Sequence, residues 1–339
     1  MNTFIDITNN AYFVNHTMKK IYLRLTLSIA FIFSIFSLAL ADTYPKREMR
    51  AAWLATVWNL DWPKTDAGKA FYDQSSANCT SQKTYLRNII QKLKDSGFNA
   101  VNFQVRGMCD AMYKSSYEPW SSALTGTRGK TPSLDWDPLE YCIEVCHELG
   151  MECHAWVNPF RFCTSSTLYS TTNDLNLRNN GWIITYGSTS VLNPAIEDAR
   201  NYIVESVCKE IVQNYDIDGM VWDDYFYPNG IPTTNDAEDY EHYQAYKNSG
   251  GTMTMANWRR DNVNQTVKQA FNMVHSVKPY VKFGIAPAGV ANEGAKAHGI
   301  TPANITSTGY QYNGIFADPC AWIIDGYIDY ISPQLYWVT

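Results

Sequence analysis

Residues 218–228 read DGMVWDDYFYP. The apolar run through Val221 is typical of a buried strand, and two adjacent acids, Asp223 and Asp224, follow where that strand should end. Three aromatic residues and a proline come next. Carboxyl groups can transfer protons or stabilise a cationic transition state, and aromatic faces can stack on sugar rings. The stretch therefore predicts the floor of a sugar-binding cleft at the end of a strand.

Around this stretch, apolar strands alternate with amphipathic helices. The predicted strands are 49–57, 98–106, 151–159, 219–223, 281–287 and 328–335, and the predicted helices are 84–96, 138–150, 193–215, 258–277 and 319–326. Such alternation indicates a parallel sheet. No Gly-x-Gly-x-x-Gly follows any strand, so a nucleotide-binding open sheet is not favoured. We expect a (β/α)8 TIM barrel, truncated at its C-terminus after about six of the eight strands.

Long connections follow the second, third and fourth predicted strands, at about 107–136, 160–192 and 227–257. Loops of this length are usually functional. All of them lie on the carboxyl side of the sheet, where α/β barrels build their active sites. We therefore look for functional residues at that end of the strands.

The composition fits one large globular domain and excludes some partners. Hydrophobic residues make up 45% of the 339 residues, and aromatic residues make up 14%. The net charge is −6, and no basic run or patch is visible. Nucleic acid is therefore not an expected partner.

The N-terminal residues predict export. Residues 1–17 have the character of a mis-called start, and 18–41 combine a basic opening with an apolar segment of about 16 residues, as in a signal peptide. Ala39-Leu40-Ala41 matches a small-x-small cleavage site before Asp42, and no cysteine follows it. We expect residues 42–339 to form the barrel and to be periplasmic or extracellular, without a lipid or membrane anchor.

The 8 cysteines are predicted mainly as small core residues, with disulfides the alternative open to an exported chain. Cys142, Cys146 and Cys153 lie near His147 and His154, but this spacing fits no standard zinc pattern. We predict neither a metal nor a cofactor.

Asp223 and Asp224 are the leading candidates for acid catalysis. Successive strand residues point to opposite faces, so only one of them should face the cleft. We favour Asp224 as the general acid and keep Asp223 as the alternative. Asp110 is the candidate second carboxylate, unless an N-acetyl group of the substrate takes that role. Weaker alternatives are Glu118 and Glu293, whereas Asp61 and Asp218 are predicted as turn or cap residues.

A further set of polar and aromatic residues clusters at or near the predicted strand ends, where they could hold a sugar. These are Arg106, His154, Asn158, Arg161, Tyr225, Tyr227, Gln334, Tyr336 and Trp337. For Arg106 and Arg161, structural pairing with aspartates is the competing interpretation.

Several segments together resemble the bacterial glycosyl hydrolase-like 10 family. They are 49–57, 99–106 with 110–113, 136–139, 154–161, 215–219 running into 223–228, 258–264, 283–287 and 329–337. The resemblance implies an exported TIM-barrel glycosidase that acts on cell-envelope polysaccharide, with peptidoglycan glycan strands lacking stem peptides as the leading substrate. A non-catalytic carbohydrate-binding barrel is the alternative, because no clear carboxylate pair is evident.

Overall fold

A computed structural model describes residues 48–64, 76–133, 136–165, 169–302 and 309–336. The predicted start extension and signal peptide (1–41) lie outside the described residues, and so does Trp337. Within the parts of the chain that the structure describes, no helix combines the length and apolar character needed to cross a bilayer.

The core of the fold is a six-stranded sheet in which every pair of neighbouring strands is parallel. Its strands are β1 (Ala51–Leu54), β2 (Ala100–Arg106), β3 (Glu152–Val157), β7 (Gly219–Trp222), β8 (Lys282–Ile285) and β9 (Tyr330–Ile331), in that spatial order. Neighbours in this sheet follow one another along the chain, as consecutive strands of a TIM barrel do. The prediction of an α/β fold with six parallel barrel strands is confirmed.

Helices connect these strands. They are α1 (Ser76–Asp95), α2 (Ser122–Thr125), α3 (Pro138–Glu148), α4 (Thr172–Asn179), α5 (Glu197–Asn201), α6 (Lys209–Asn214), α7 (Tyr240–Asn248), α8 (Met255–Val277), α9 (Asn292–Ala297) and α10 (Pro319–Ile324). A π-helical segment, Tyr202–Cys208, joins α5 to α6. The predicted cap of α3 is present, since the Asp137 side chain accepts hydrogen bonds from the amides of Leu139 and Glu140.

The connection after β3 contains structure that the sequence reasoning described only as a long loop. A second sheet of three antiparallel strands forms there, from β4 (Arg161–Cys163), β5 (Ile183–Tyr186) and β6 (Thr189–Leu192) in the order β4-β6-β5. Arg128, in the loop after β2, binds Asp174 on α4 at 2.6 Å. This ion pair ties the loops after β2 and β3 together, beside the carboxyl ends of the strands.

At the amino end of the sheet, two glycines leave room for large rings on the neighbouring strands. His154 on β3 pairs in register with Gly219 on β7, and a β-carbon at Gly219 would lie 2.4 Å from Nδ1 of His154. In the same way, a β-carbon at Gly284 would lie 2.2 Å from the ring of Tyr330. The hydroxyl of Tyr330 and Nδ1 of His154 are 2.7 Å apart. Both glycines are therefore needed for the rings to close this end of the sheet.

Candidate functional site

A cavity of about 450 Å³ lies at the carboxyl ends of the parallel strands. It is lined by Trp53, Ala55, Val57, Trp58, Leu60, Gln104, Trp156, Arg161, Asp223, Tyr225, Ala286, Ser332, Pro333, Gln334, Leu335 and Tyr336. Its size is in the range of small-molecule and sugar sites. Five of the predicted site residues meet here, namely Arg161, Asp223, Tyr225, Gln334 and Tyr336.

Asp223, the first residue after β7, is held by three N–H donors. The amide of Asn158 donates to Oδ2 at 2.9 Å, the amide of Gln334 donates to Oδ1 at 2.9 Å, and the backbone amide of Asp224 donates to Oδ1 at 2.9 Å. An ionised carboxylate is a pure acceptor, so this set of donors fits Asp223 in its charged form. Asn158 and Gln334, which we predicted to hold the sugar, therefore donate to this aspartate.

A chain of amides behind Asp223 fixes its orientation. Asn158 is buried and accepts a hydrogen bond from the side-chain amide of Gln104 at 2.7 Å. The Gln104 carbonyl oxygen in turn accepts from the backbone amides of Thr56 and Val57, at 3.0 and 2.9 Å. The carboxylate is therefore connected through two side chains to the backbone after β1, and it cannot rotate without breaking this chain.

Asp224 is buried to a similar extent as Asp223, with exposed fractions of 9% and 7%. Burial raises the pKa of the Asp224 carboxyl from the usual 3.8 to about 8. The charge of Asp223 and the hydrogen bond that protonated Asp224 donates to the Asp223 carboxylate add to this effect. The pair consequently holds one proton and one negative charge near neutral pH. Two carboxyl groups in different protonation states can act as acid and charge stabiliser.

Of the two aspartates, Asp223 is among the residues that line the cavity, and Asp224, which we favoured as the general acid, is not. Both follow the last strand residue, Trp222, so regular strand alternation does not decide which of them faces the cavity. Asp224 is nevertheless electrostatically close to the cavity, because the charges of both aspartates add to the effect of burial in raising the pKa of the Tyr336 phenol. The two carboxyl groups therefore act on the same space.

Aromatic side chains form the walls and the rim of the cavity. Trp53 and Trp156 meet edge to face with ring centroids 4.8 Å apart. Trp58 and Tyr336 lie at the rim and are 64% and 86% exposed. Exposed aromatic faces beside a polar floor can stack on the apolar faces of sugar rings, which is the role predicted for Tyr336.

Arg161 forms part of the cavity wall. Its guanidinium group lies over the ring of Tyr225, 4.1 Å from the centroid, and 6.0 Å from that of Trp58. Its Nε donates to the backbone carbonyl of Gly107 at 2.8 Å. Arg161 and Tyr225 therefore support each other, as a cation on an aromatic face.

Arg106 and Asp110 are not where the predictions require them. Arg106 is fully buried, and its guanidinium makes two hydrogen bonds to Glu118, at 2.8 and 2.6 Å. Asp110 accepts from the backbone amides of Gly107 and Met108 and lies 3.5 Å from Arg128. Neither residue lines the cavity. The structure thus places Arg106 in structural pairing, and places Asp110 in a turn rather than beside the anomeric carbon.

His154 and Tyr227 are also placed outside the cavity. His154 belongs to the amino end of β3, where it contacts Tyr330 and lies 3.1 Å from a carboxylate oxygen of Glu152. Tyr227 is buried against Phe316, with ring centroids 5.6 Å apart. Both side chains pack in the protein interior and are not positioned to hold a sugar.

Comparison with known proteins gives the family. The model of the family described as glycosyl hydrolase-like 10 matches residues 48–339. The chain belongs to the glycosyl hydrolase-like 10 family. The match covers the barrel strands, the pair of acids and the cavity, so it extends over everything described above.

Curated relatives in this family are substantially longer than the region they share with this chain. The glycosyl hydrolase YngK of Bacillus subtilis strain 168 is 38% identical over 304 residues, which are 88% of this chain and 56% of that protein. The glycosyl hydrolase DigH of Escherichia coli strain K12 is 34% identical over 300 residues, which are 85% of this chain and 65% of that protein. The chain thus spans between half and two thirds of the length of these relatives.

A solved structure with partial similarity is alpha-L-fucosidase isoenzyme 2 from Paenibacillus thiaminolyticus. It is 16% identical, has a TM-score of 0.46, and the alignment covers 74% of this chain and 34% of the fucosidase.

One group of side chains in this family member could hold a metal ion. Cys142, Cys146 and Cys153 are buried between α3 and β3, with their Sγ atoms within 4.8 Å of one another. Hydrogen bonds from Cys142 and then Cys153 lower the pKa of the Cys146 thiol to about 5. None of the three lines the cavity. Their packing in the core agrees with the prediction for these cysteines, and they are separate from the pair of acids.

Sequence reasoning missed Gln104, Trp53, Trp58 and Trp156 as site residues. Gln104 lies two residues before Arg106 on β2, and Trp156 two residues before Asn158 on β3. Alternation of strand side chains would have placed Trp156 on the same face as Asn158. Gln104 and Arg106 are separated by a register shift in β2, and of these two only Gln104 lines the cavity. The reasoning concentrated on the last residue of each strand and overlooked the layer beneath it.

Proposed function

We propose that this chain is a glycoside hydrolase that cleaves glycosidic bonds in a bacterial cell-envelope polysaccharide. The observation that supports this is the pair of adjacent carboxyl groups after β7: Asp223 lines the cavity and accepts three N–H hydrogen bonds, and burial beside it raises the pKa of Asp224 to about 8. Glycoside hydrolysis needs a proton for the leaving oxygen and negative charge near the anomeric carbon. Family membership and the aromatic walls of the cavity support the same conclusion.

In the proposed reaction, Asp224 gives its proton to the glycosidic oxygen as that bond breaks. The Asp223 carboxylate, held by Asn158 and Gln334, stabilises the positive charge that develops on the anomeric carbon. A water molecule then adds its oxygen to that carbon, and its proton returns to the pair of acids. Because Asp110 does not line the cavity, an N-acetyl group of the substrate is the better candidate for any further assistance at the anomeric centre.

The proposed substrate is peptidoglycan glycan from which the stem peptides have been removed, and the proposed location is the periplasm or the cell exterior. The apolar rim, with Trp58, Leu335 and Tyr336 exposed, suits a polymer of amino sugars whose rings can stack as the chain crosses the cavity. No nucleic acid or membrane is needed for this activity.

The test is hydrolysis of purified, peptide-free glycan strands by the full-length protein, followed as release of soluble reducing sugars. Asp224→Asn should lower kcat by about 100-fold or more, because general acid catalysis contributes roughly 10²–10⁴-fold. Asp223→Asn should also cause a large loss. Asp198→Asn, which alters an exposed aspartate on α5, is the matched control and should be unaffected.

An unchanged rate in both Asp223→Asn and Asp224→Asn would show that the pair does not do the chemistry. If the unmodified protein binds the strands but releases no sugar, the non-catalytic carbohydrate-binding barrel replaces the hydrolase.

A further inference from the structure

The cavity wall contains a buried cation without a carboxylate partner. Arg161 is 1% exposed, and among the described residues its hydrogen-bonding partner is the backbone carbonyl of Gly107. Its Nη2 is buried and has no acceptor within the part of the chain that the structure describes. A buried guanidinium group with unused donors is costly for a folded protein. This cost suggests that the missing partner is supplied by a ligand.

Two other fully buried arginines show what a satisfied site looks like in this protein. Arg106 makes two hydrogen bonds to Glu118, and Arg259 makes two to Asp239, at 2.8 and 2.5 Å. Neither of these arginines lines the cavity, whereas Arg161 does. The unpaired arginine is therefore the one that faces the space where substrate would bind.

The surroundings of Arg161 select for a flat anion. Tyr225 lies 4.1 Å from the guanidinium carbon and covers one face of the group, so the free donors lie along its edge. The edge of a guanidinium group matches the two oxygens of a carboxylate. Trp58 lies 6.0 Å away and is 64% exposed, so it can move aside as a ligand enters.

We propose that Arg161 forms a subsite for a carboxylate carried by a sugar of the substrate, an inference that rests on the proposed function. In peptidoglycan, the lactyl group of muramic acid ends in a carboxyl group. That group is amide-linked and uncharged where a stem peptide is attached, and it is a free carboxylate where the peptide has been removed. Arg161 would then make the cavity selective for peptide-free glycan. Uronic acids also present a carboxylate, and the experiment separates these from muramic acid.

The experiment measures binding by isothermal titration to the full-length protein carrying Asp224→Asn, so that no probe is cleaved. The probes are the disaccharide of N-acetylglucosamine and N-acetylmuramic acid as the free acid, the same disaccharide with its lactyl carboxyl converted to an amide, chitobiose, and a disaccharide of N-acetylglucosamine and glucuronic acid. The free muramic acid should bind roughly 10- to 100-fold more tightly than its amide, as expected for a hydrogen-bonded charge.

Arg161→Gln should remove this preference and leave the affinity for the amide and for chitobiose unchanged. Arg161→Lys should keep part of the preference, because the charge remains and the two-pronged geometry is lost. Arg178→Gln, at an exposed arginine on α4, is the control and should match the starting protein. Thermal melts of each variant show whether it is folded, and the Lys variant serves if the Gln variant is not.

Equal binding of the free acid and the amide would overturn the subsite while leaving the hydrolase proposal intact. A preference for the glucuronic acid disaccharide that Arg161→Gln removes would support the carboxylate subsite and overturn muramic acid as its source. Failure of every probe to bind, together with no cleavage of glycan strands by the unmodified protein, would overturn both the subsite and the proposed function.

Discussion

Buried arginines have different partners in two regions of this protein. One region is the frame, by which we mean the buried ion pairs outside the cavity, and the other is the cavity wall. In the frame, Arg106 and Arg259 each have a carboxylate partner that takes two hydrogen bonds. In the cavity wall, Arg161 has no such partner among the described residues. Beside the cavity, Asp224 has a pKa of about 8 because burial and the charge of Asp223 oppose its ionisation. The hydrogen-bond donors of the frame arginines are occupied by acceptors of the protein itself. At the cavity, a donor of Arg161 and the proton of Asp224 are available for a ligand.

The presence or absence of a carboxylate partner distinguishes structural from functional arginines more clearly than residue type does. Arg106 and Arg161 are both buried arginines near the carboxyl ends of strands, and the sequence gives no reason to treat them differently. Their neighbours decide the matter, because Glu118 occupies the donors of Arg106 and nothing described in the structure occupies Nη2 of Arg161. At such a site, we expect the functional groups to be those that lack a hydrogen-bonding or charge partner within the fold.

The largest effect is expected in the frame. Arg106→Met should lower the free energy of unfolding by about 3–5 kcal/mol, because it leaves the Glu118 carboxylate buried without its partner. Urea denaturation followed by circular dichroism measures this. The double variant Arg106→Met with Glu118→Leu should recover much of the loss, since it removes both charges. If Arg106→Met is as stable as the starting protein, the proposed difference between the frame and the cavity wall is wrong.

An intermediate effect is expected from the pH dependence of Asp224. Its pKa is higher in the folded protein than in the unfolded chain, so the folded state holds an extra proton between about pH 4 and about pH 8. Stability should therefore fall as pH rises through this window, by on the order of 1 kcal/mol per pH unit at most, with no further change from this group above it.

Asp224→Asn, which cannot ionise, should remove this contribution, and the difference between the two proteins in urea denaturation at several pH values isolates Asp224 from all other groups. Cleavage by the unmodified protein should also decline above about pH 8, where the proton is lost. Parallel stability curves for the two proteins would mean that Asp224 is already ionised at neutral pH.

The smallest change in stability is expected at Arg161. Arg161→Met should change the free energy of unfolding by less than about 1 kcal/mol, or increase it, because replacing an unpaired buried cation with an apolar side chain of similar length removes a desolvation cost. Thermal melting alongside Arg106→Met measures the contrast. A loss as large as that of Arg106→Met would show that the fold itself depends on the Arg161 charge.

Much of the fold could be predicted because its signals are local. Apolar runs such as Gly219–Trp222 and the Asp137 cap of α3 depend on neighbouring residues, and both appear in the structure as predicted. The antiparallel sheet of β4, β5 and β6 could not be predicted in the same way. Its strands have three or four residues each and are stabilised by pairing across the connection rather than by their own sequence.

The site was predicted only in part, for a related reason. Asp223 and Gln334 were recognised because each lies at the end of a strand, and parallel strands bring their carboxyl ends together. The roles of Arg106 and Asp110 depend on Glu118 and Arg128, which belong to the long loop after β2. Contacts made by an irregular loop leave no periodic pattern, so the sequence could not show which charges it would neutralise.

The packing of His154 against Gly219 also limits how this protein can vary. Any side chain at 219 would collide with the His154 ring, and a smaller residue at 154 alone would leave a void beneath the cavity floor. Positions 154 and 219 are therefore expected to covary among family members, so that both change together or neither changes. A pair of substitutions that looks neutral when made together would be harmful in either order when made singly.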